Sequence, residues 1–186
     1  MEYVMSFPAD KEELAKLRAG DKLTVSGTIY TARDAAHKRL TELIDSGKEL
    51  PLDIRRAAIY YAGPTPEKPG QVIGSCGPTT SGRMDAYAPK LLDRGLAVMV
   101  GKGDRNAAVI DAIVRNGAVY LAAMGGAGAL MGSCVKAARI VCYADLGCEA
   151  IRELKVENMP LTVVIDSLGN DLYKSGPEAY LKSLED

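Results

Sequence analysis

The sequence contains no tryptophan, one phenylalanine and one histidine, and aromatic residues make up only 5% of its 186 residues. It also lacks an excess of either charge, since 23 Lys and Arg face 24 Asp and Glu, for a net charge of −1. Nucleic-acid binding uses basic side chains against phosphates and aromatic side chains against bases. We therefore expect no nucleic-acid partner.

Long apolar runs are absent too. No stretch of about 18 apolar residues occurs, so the sequence predicts no membrane span. The start of the chain, residues 1–8, lacks the basic and then apolar pattern of a secretory signal, and we expect a cytoplasmic protein.

Cysteine spacing argues against a metal site within this chain. The four cysteines, at positions 76, 134, 142 and 148, form no Cys-x-x-Cys pair, and no histidine lies near them. Structural zinc sites and iron–sulfur clusters need such close spacings. We expect reduced, buried thiols and no bound metal.

The composition is that of an ordinary globular protein, with 47% hydrophobic and 25% charged residues. The length fits one domain over residues 1–186. Apolar runs and alternations predict strands at 22–30, 57–62, 72–75, 97–100, 118–124, 140–143, 154–156 and 161–166. Helical spacing predicts helices at 10–17, 31–46, 106–115 and from residue 84 onward, and Pro89 is expected to kink or restart the last of them. A turn is predicted at 167–170. This alternation favours an α/β fold with parallel neighbouring strands.

Three glycine-rich loops follow predicted strands, at residues 77–83, 101–105 and 125–128. The carboxyl ends of parallel strands share one edge of a sheet, so these loops are predicted to converge. The first carries hydroxyls and Arg83, and the second carries Lys102 between two glycines, which suits an anion. Helix capping with a solvated arginine, or a flexible turn with a surface lysine, are the alternatives.

Other chemistries fit less well. Neither the Walker spacing nor the dinucleotide fingerprint is matched by the glycine loops. His37 shares a helix face with Arg33, and a lone histidine of this kind is more often structural. No nucleophilic triad can be assembled. Arg33, Arg83 and Lys102 are the informative set, and they suit a substrate with two carboxylates.

Three segments carry a family resemblance: residues 27–37, residues 77–84 and residues 101–105. They resemble the β region of iron–sulfur hydro-lyases, the family that includes class I fumarate hydratase and L(+)-tartrate dehydratase. The resemblance extends over residues 22–173, and the Thr-Thr-Ser-Gly-Arg-Met block at 79–84 is its most specific part.

The resemblance implies a swivelling β/β/α domain, an α/β fold in which a mixed sheet carries flanking helices. It also implies a partner α subunit whose three cysteines ligate a [4Fe–4S] cluster, which acts as a Lewis acid on the substrate. This chain would be the β subunit of a fumarate hydratase, in an α2β2 assembly or, in isolation, a homo-oligomer.

Residue roles are implied in the same way. Arg33, Arg83 and Lys102 match positions that hold a C4 dicarboxylate, and Thr79, with Lys102, matches a catalytic position for proton transfer. We expect a carboxylate of the α subunit to receive that proton, because a threonine hydroxyl alone is a poor base. His37 and Asp104 would support these residues, although Asp104 stands where fumarases commonly have Asn.

The residues around Arg83 and Lys102 are nearer to the fumarase form than to the tartrate dehydratase form. Fumarate and L-malate are therefore the favoured substrates. The alternatives are the β subunit of an L(+)-tartrate dehydratase and a non-catalytic domain that binds small anions.

Overall fold

A computed structural model describes residues 1–184 of the chain. The strands are β1 (Glu2–Phe7), β2 (Lys22–Thr31), β3 (Ala58–Tyr60), β4 (Val98–Gly101), β5 (Val119–Ala122), β6 (Val135–Cys142) and β7 (Ile151–Ile165). The α-helices are α1 (Lys11–Leu14), α2 (Asp34–Asp45), α3 (Ala88–Leu92), α4 (Ala107–Asn116), α5 (Gly128–Ser133) and α6 (Leu172–Lys182). Short 3₁₀ helices occupy Ser81–Met84 and Ala144–Glu149.

The strands form one mixed sheet. Strands β2, β3, β4 and β5 are parallel neighbours in that order, and β1 lies parallel to the first part of β2, along the same edge that β3 pairs with further on at Tyr30 and Thr31. Helices lie in the connections from β2 to β5, as parallel neighbours require. The predicted mixed sheet with flanking helices is confirmed.

Strand β7 closes this sheet. It runs antiparallel to β2, through pairs such as Thr162 with Lys22, and antiparallel to β5, where Ile165 pairs with Tyr120. The pairings β2–β3–β4–β5–β7–β2 therefore form a ring, and β6 extends the sheet by pairing with β7. The ends of β2 and β5 are consequently held in a fixed relation to each other.

The apolar side chains form two clusters, one on each side of the sheet. On β3, Ala58 and Tyr60 belong to the cluster inside the ring, whereas Ile59 belongs to the cluster under α2, α3 and α4. Sheets that are covered on both faces have strands without polar alternation. This explains why the sequence of β4 is a continuous apolar run.

Several predicted elements are wrong in detail. Residues 72–75 form no strand, because the segment folds back on its own loop. The Thr65 N–H donates to the Ser75 carbonyl at 2.9 Å, and the Gly74 N–H donates to the Thr65 carbonyl at 3.2 Å. The strands predicted at 154–156 and 161–166 are one strand. Asn158 takes a left-handed conformation at φ 52° and donates its N–H to Ser26 Oγ. This contact keeps β7 paired with β2 between the two predicted segments.

Other elements were missed or misplaced. The sequence patterns did not predict β1, α5 or α6, and β6 begins five residues before the predicted strand at 140–143. Of the two outcomes predicted at Pro89, the restart is confirmed: Pro89 lies in the first turn of α3, where proline lacks only a donor that is unused. Among the described residues, no helix has the length and hydropathy needed to cross a membrane.

A close approach of two strands yields a test of this fold. Gly27 has φ +108°, and a Cβ there would lie against the Phe7 carbonyl oxygen and 2.8 Å from the Phe7 nitrogen. Because both atoms belong to the main chain of β1, they cannot rotate away. Gly27→Ala is expected to lower the free energy of unfolding by about 3 kcal/mol, measured by urea denaturation.

The control is Gly176→Ala in α6, where the nearest atom would be Leu172 Cδ1 at 3.8 Å. Alanine is the better helix former, but Pro177 disfavours a Cβ on the helical residue before it, so this variant is expected to change stability by less than about 1 kcal/mol. Equal stability of Gly27→Ala and the unchanged protein would contradict the close packing of β1 on β2.

Candidate functional site

The loop at residues 77–83 lies beside the loop at 101–105. Thr80 pairs with Lys102 in a parallel bridge, and the Ser81 N–H donates to the Lys102 carbonyl at 2.8 Å. The Thr79 N–H donates at 2.7 Å to the carbonyl of Tyr61, directly after β3. The first loop thus reaches the carboxyl edge of the sheet by pairing with residues that follow β3, although no strand precedes it.

The third glycine loop meets the other two. A Cβ on Gly125 would lie 3.7 Å from Lys102 Cδ, and one on Gly77 would lie 3.4 Å from the Cα of Gly128. A Cβ on Gly128 would lie only 3.1 Å from the Gly77 nitrogen, so the two main chains leave little room for a side chain there. The predicted convergence of the three loops is therefore present in the structure.

The start of α2 brings the two arginines together around Asp34. Arg83 Nε donates to Asp34 Oδ1 at 2.8 Å, and Arg33 Nη2 lies 3.8 Å from Asp34 Oδ2. Arg33 Nη2 also lies 3.5 Å from Glu149 Oε1. Sequence reasoning missed Asp34 and Glu149. The only signal for Asp34 was an acidic residue in the first turn of a helix, which the helix dipole explains equally well.

The two arginines differ in exposure. The Arg83 side chain is 51% exposed and that of Arg33 is 19% exposed. Asp34 uses the Nε of Arg83, and within residues 1–184 neither terminal nitrogen of this guanidinium donates a hydrogen bond. The Nη1–Nη2 edge is one of the forks with which arginine binds a carboxylate in two places. Asp34 thus orients Arg83 and leaves this edge open.

Thr79 is half-buried, whereas Lys102 and Asp104 are exposed. Asp104 lies on the same loop as Lys102, and its carbonyl is 3.7 Å from where a Cβ on Gly82 would stand. The alternative that the hydroxyls cap a helix gains nothing from the structure. The capping residue of the 3₁₀ helix is Thr80, not Thr79, and its side chain makes no capping hydrogen bond.

His37 lies underneath Arg33. Its Nδ1 is 2.9 Å from the Arg33 carbonyl oxygen, which can only accept, so Nδ1 carries the proton and donates. The ring is fully buried and meets Tyr61 edge to face, with centroids 5.2 Å apart. Burial lowers the pKa of His37 to about 4. The imidazole is therefore neutral near pH 7 and supports Arg33 without adding charge.

Buried polar atoms without a protein partner gather in this region. Within residues 1–184 six side-chain atoms are of this kind, and five of them belong to the site or to the residues behind it: Arg33 Nε, Asp34 Oδ2, His37 Nε2, Tyr61 OH and Arg105 Nη2. Because leaving a buried polar atom without a hydrogen bond is costly, such a cluster is typical of functional sites.

The described part of the chain contains no group of three or more His, Cys, Asp and Glu side chains that could hold a metal ion. Cys76 and Cys134 are buried in the apolar cluster inside the ring. The prediction of buried thiols is wrong for the other two, since Cys142 is half-buried and Cys148, which directly precedes Glu149, is exposed. Burial raises the pKa of the Cys76 thiol to about 12, so it stays protonated.

Comparison with known proteins adds a family. The sequence profile of the family described as Fumarase C-terminus matches residues 4–176. The anaerobic class I fumarate hydratase of Escherichia coli K12 is 43% identical over 169 residues, which cover 88% of this chain and 31% of that protein. Fumarate hydratase 2 of Leishmania major is 36% identical over 170 residues, covering 89% of this chain and 30% of that protein.

A third relative has a similar size. A protein of Methanocaldococcus jannaschii, provisionally named L(+)-tartrate dehydratase subunit beta, is 39% identical over 180 residues, which cover 94% of this chain and 92% of that protein. By contrast, the chain spans only about a third of the length of the fumarate hydratases that it matches, 31% and 30% of the two above.

The neutral histidine predicts a pH dependence of stability. Unfolded His37 binds a proton with its ordinary pKa of 6.5, whereas the folded protein resists protonation until about pH 4. Between these values the unfolded state binds more protons, so stability is present above pH 6.5 and is lost as the pH falls. The loss from this residue is expected to reach about 3 kcal/mol at pH 4, measured by urea denaturation.

The matched control is His37→Asn, which keeps a donor near the Arg33 carbonyl but has no proton to gain. Since carboxylates titrate mainly below pH 5, the difference between the two proteins is most specific at pH 5–6.5. Parallel stability curves of the two proteins in that range would contradict a buried, neutral His37.

Proposed function

The chain belongs to the Fumarase C-terminus family, and we propose from this premise that it is the β subunit of a hydro-lyase. Together with a separate α subunit, it interconverts fumarate and L-malate by the addition and removal of water. The subunit assignment is supported by the relative named subunit beta, of which the chain covers 92%.

The observation that carries this proposal is the meeting of Arg33 and Arg83 around Asp34, at the edge where Thr80 pairs with Lys102. A C4 dicarboxylate needs positive groups at both ends. The open Nη edge of Arg83 suits one carboxylate, and the exposed ammonium of Lys102 suits the other. Arg33 adds charge from beneath, where Glu149 and the His37 contact hold it in place.

Thr79 stands beside these groups and has the proton-transfer role. Its hydroxyl is too weak a base to remove a proton from carbon unless the proton passes on to a carboxylate. We assign that carboxylate to the α subunit. His37 acts by holding the main chain of Arg33 through its carbonyl, and we assign Asp104, two residues after Lys102 on the same loop, a supporting role in which it does not touch the substrate.

We assign the [4Fe–4S] cluster of the enzyme to the α subunit as well, because the described residues of this chain offer no donor set for it. When bound there, such a cluster supplies a Lewis acid for the carboxylate and hydroxyl of the substrate. This chain's own contribution is to bind and orient the dicarboxylate and to move a proton at the Thr79 hydroxyl.

The second candidate substrate is L(+)-tartrate, which is favoured by the relative of similar length. A third possibility is a domain that binds small anions without chemistry of its own, since the same arginines would serve it.

Anaerobic co-expression with a cluster-bearing α subunit separates these functions. We expect the assembly to hydrate fumarate, with the purified, metal-free chain inactive by itself. Dehydration of tartrate alone would replace the substrate, and binding of fumarate without turnover would favour the anion-binding domain. Robust hydration of fumarate by the metal-free chain would overturn the subunit proposal.

The fork of Arg83 makes a specific prediction. Arg83→Lys keeps the charge but loses the two-point geometry. Transition-state binding by the assembly is therefore expected to weaken by about 2–3 kcal/mol, measured as a fall in kcat/KM. Arg115→Lys is the control. Arg115 also binds a carboxylate with two hydrogen bonds, that of Asp93, but it lies on α4 and not in the candidate site. A kcat/KM of Arg83→Lys within twofold of the unchanged enzyme would remove Arg83 from the substrate site.

Thr79→Val tests proton transfer, because it removes the hydroxyl and nearly keeps the volume. We expect kcat to fall much more than KM rises in steady-state assays of the assembly. Thr80→Val is the control, since the neighbouring hydroxyl is exposed and caps nothing. An unchanged kcat in Thr79→Val would assign proton transfer wholly to the α subunit.

A further inference from the structure

Ser81 holds the main chain of Lys102 from both sides. Its N–H donates to the Lys102 carbonyl at 2.8 Å, and its Oγ accepts the Lys102 N–H at 3.0 Å. Ser81 is fully buried, whereas the Lys102 side chain points away into solvent-exposed surroundings. The position of the exposed lysine therefore depends on a buried hydroxyl.

Tyr120 on β5 continues this arrangement. Its hydroxyl lies 2.8 Å from Ser81 Oγ and 2.9 Å from the Gly103 carbonyl oxygen. The carbonyl can only accept, so the single Tyr120 proton belongs to Gly103, and Ser81 donates its own proton to Tyr120. Every donor and acceptor is then used once: Lys102 N–H to Ser81, Ser81 O–H to Tyr120, and Tyr120 O–H to Gly103. Burial raises the pKa of Tyr120, which keeps this proton in place.

The space around the chain of hydroxyls is closed. A Cβ on Gly101 would collide with Ser81 Oγ and would stand 3.0 Å from Tyr61 Cδ2, so only glycine fits before Lys102. The opposite side is filled by Arg105, whose guanidinium carbon lies 5.0 Å from the centre of the Tyr120 ring. Dense packing of this kind limits how far the two hydroxyls can move from these partners.

Arg105 connects this cluster to the loop of Arg83. Its side chain is completely buried, and its Nε donates to Asp85 Oδ1 at 2.6 Å. Asp85 directly follows the 3₁₀ helix that carries Arg83, and its other oxygen accepts the N–H of Asn106 at 2.7 Å. The loops of Lys102 and Arg83 are thus fixed to each other by buried groups.

We propose that Ser81 and Tyr120 are positioning residues, whose hydroxyls fix the main chain of Lys102 and Gly103 so that the Lys102 ammonium meets the dicarboxylate. The inference rests on the proposed function for the role of Lys102. The hydroxyl chain itself rests on the distances above.

Amide hydrogen exchange of the isolated full chain, followed by NMR, tests the hydroxyl chain. In Ser81→Ala and Tyr120→Phe we expect the Lys102 amide to exchange at least about tenfold faster, while the amides of β4 keep their protection. Tyr60→Phe is the matched control. It removes the hydroxyl of another fully buried tyrosine, on neighbouring β3, which donates to the Cys76 carbonyl at 2.6 Å instead of to the Lys102 loop.

Steady-state kinetics of the assembly with its α subunit tests the positioning role. A displaced ammonium binds substrate more weakly, so Tyr120→Phe and Ser81→Ala are expected to raise KM for fumarate about tenfold, with a smaller change in kcat. Tyr60→Phe is expected to change neither constant, although it also loses a buried hydrogen bond. A merely structural role would affect the two tyrosine variants alike.

Each outcome decides a separate claim. Unchanged exchange of the Lys102 amide in both variants would overturn the hydroxyl chain. Faster exchange with an unchanged KM would overturn the positioning role. An assembly of the unchanged chain that hydrates neither fumarate nor tartrate would overturn the proposed function and the substrate role of Lys102 with it, whereas the exchange result would stand.

Discussion

The closing of the sheet by β7 is the constraint on which the rest of the structure depends. This strand pairs with β2 and β5 together, so the segment after β2 and the loops at the ends of β4 and β5 are held at one edge. Arg33 and Asp34 follow β2, whereas Lys102 follows β4. An open sheet would allow these ends to twist apart. The ring instead lets short loops carry the charged groups, and the apolar clusters on both faces support them.

A second constraint is the burial of polar groups beneath the exposed site. Arg105 and Asp85 form an almost fully buried ion pair, and such pairs add little net stability because desolvation offsets their attraction. Their value lies in geometry, since Asp85 can accept from both Arg105 Nε and the Asn106 N–H only when the two loops keep this arrangement. The unpartnered Tyr61 hydroxyl and Arg105 Nη2 lie in the same region. The free-energy cost of burying polar groups is thus concentrated behind the residues that need fixed positions.

The sequence predicted the parts of this arrangement that follow local rules. Residues 22–30 and 106–115 show clear periodicities, and the predicted strand and helix at these places are present within one or two residues. Two parts of β7 were predicted, but its continuity was not, because Glu157 to Pro160 break the local pattern and only its partners on both sides make it one strand. The convergence of the glycine loops was predicted from strand order. The strand predicted at 72–75 was wrong, because the first loop is held at the sheet edge by the main-chain hydrogen bond from Thr79 to Tyr61 and not by a strand before it. The roles of Asp34, Tyr120 and Ser81 were not predicted, because those roles depend on contacts with residues that are distant in the sequence.

The carboxylates within the candidate site are compatible with a dianionic ligand. Two arginines that meet without counter-charges would repel each other, and long side chains would move apart in solution. Asp34 and Glu149 remove that repulsion and hold Arg33 and Arg83 in fixed orientations before any ligand arrives. Because Asp34 uses only the Nε of Arg83, its attraction does not compete for the outer edge of the guanidinium. A ligand then meets an oriented fork at the surface instead of having to order one, which lowers the entropy cost of binding.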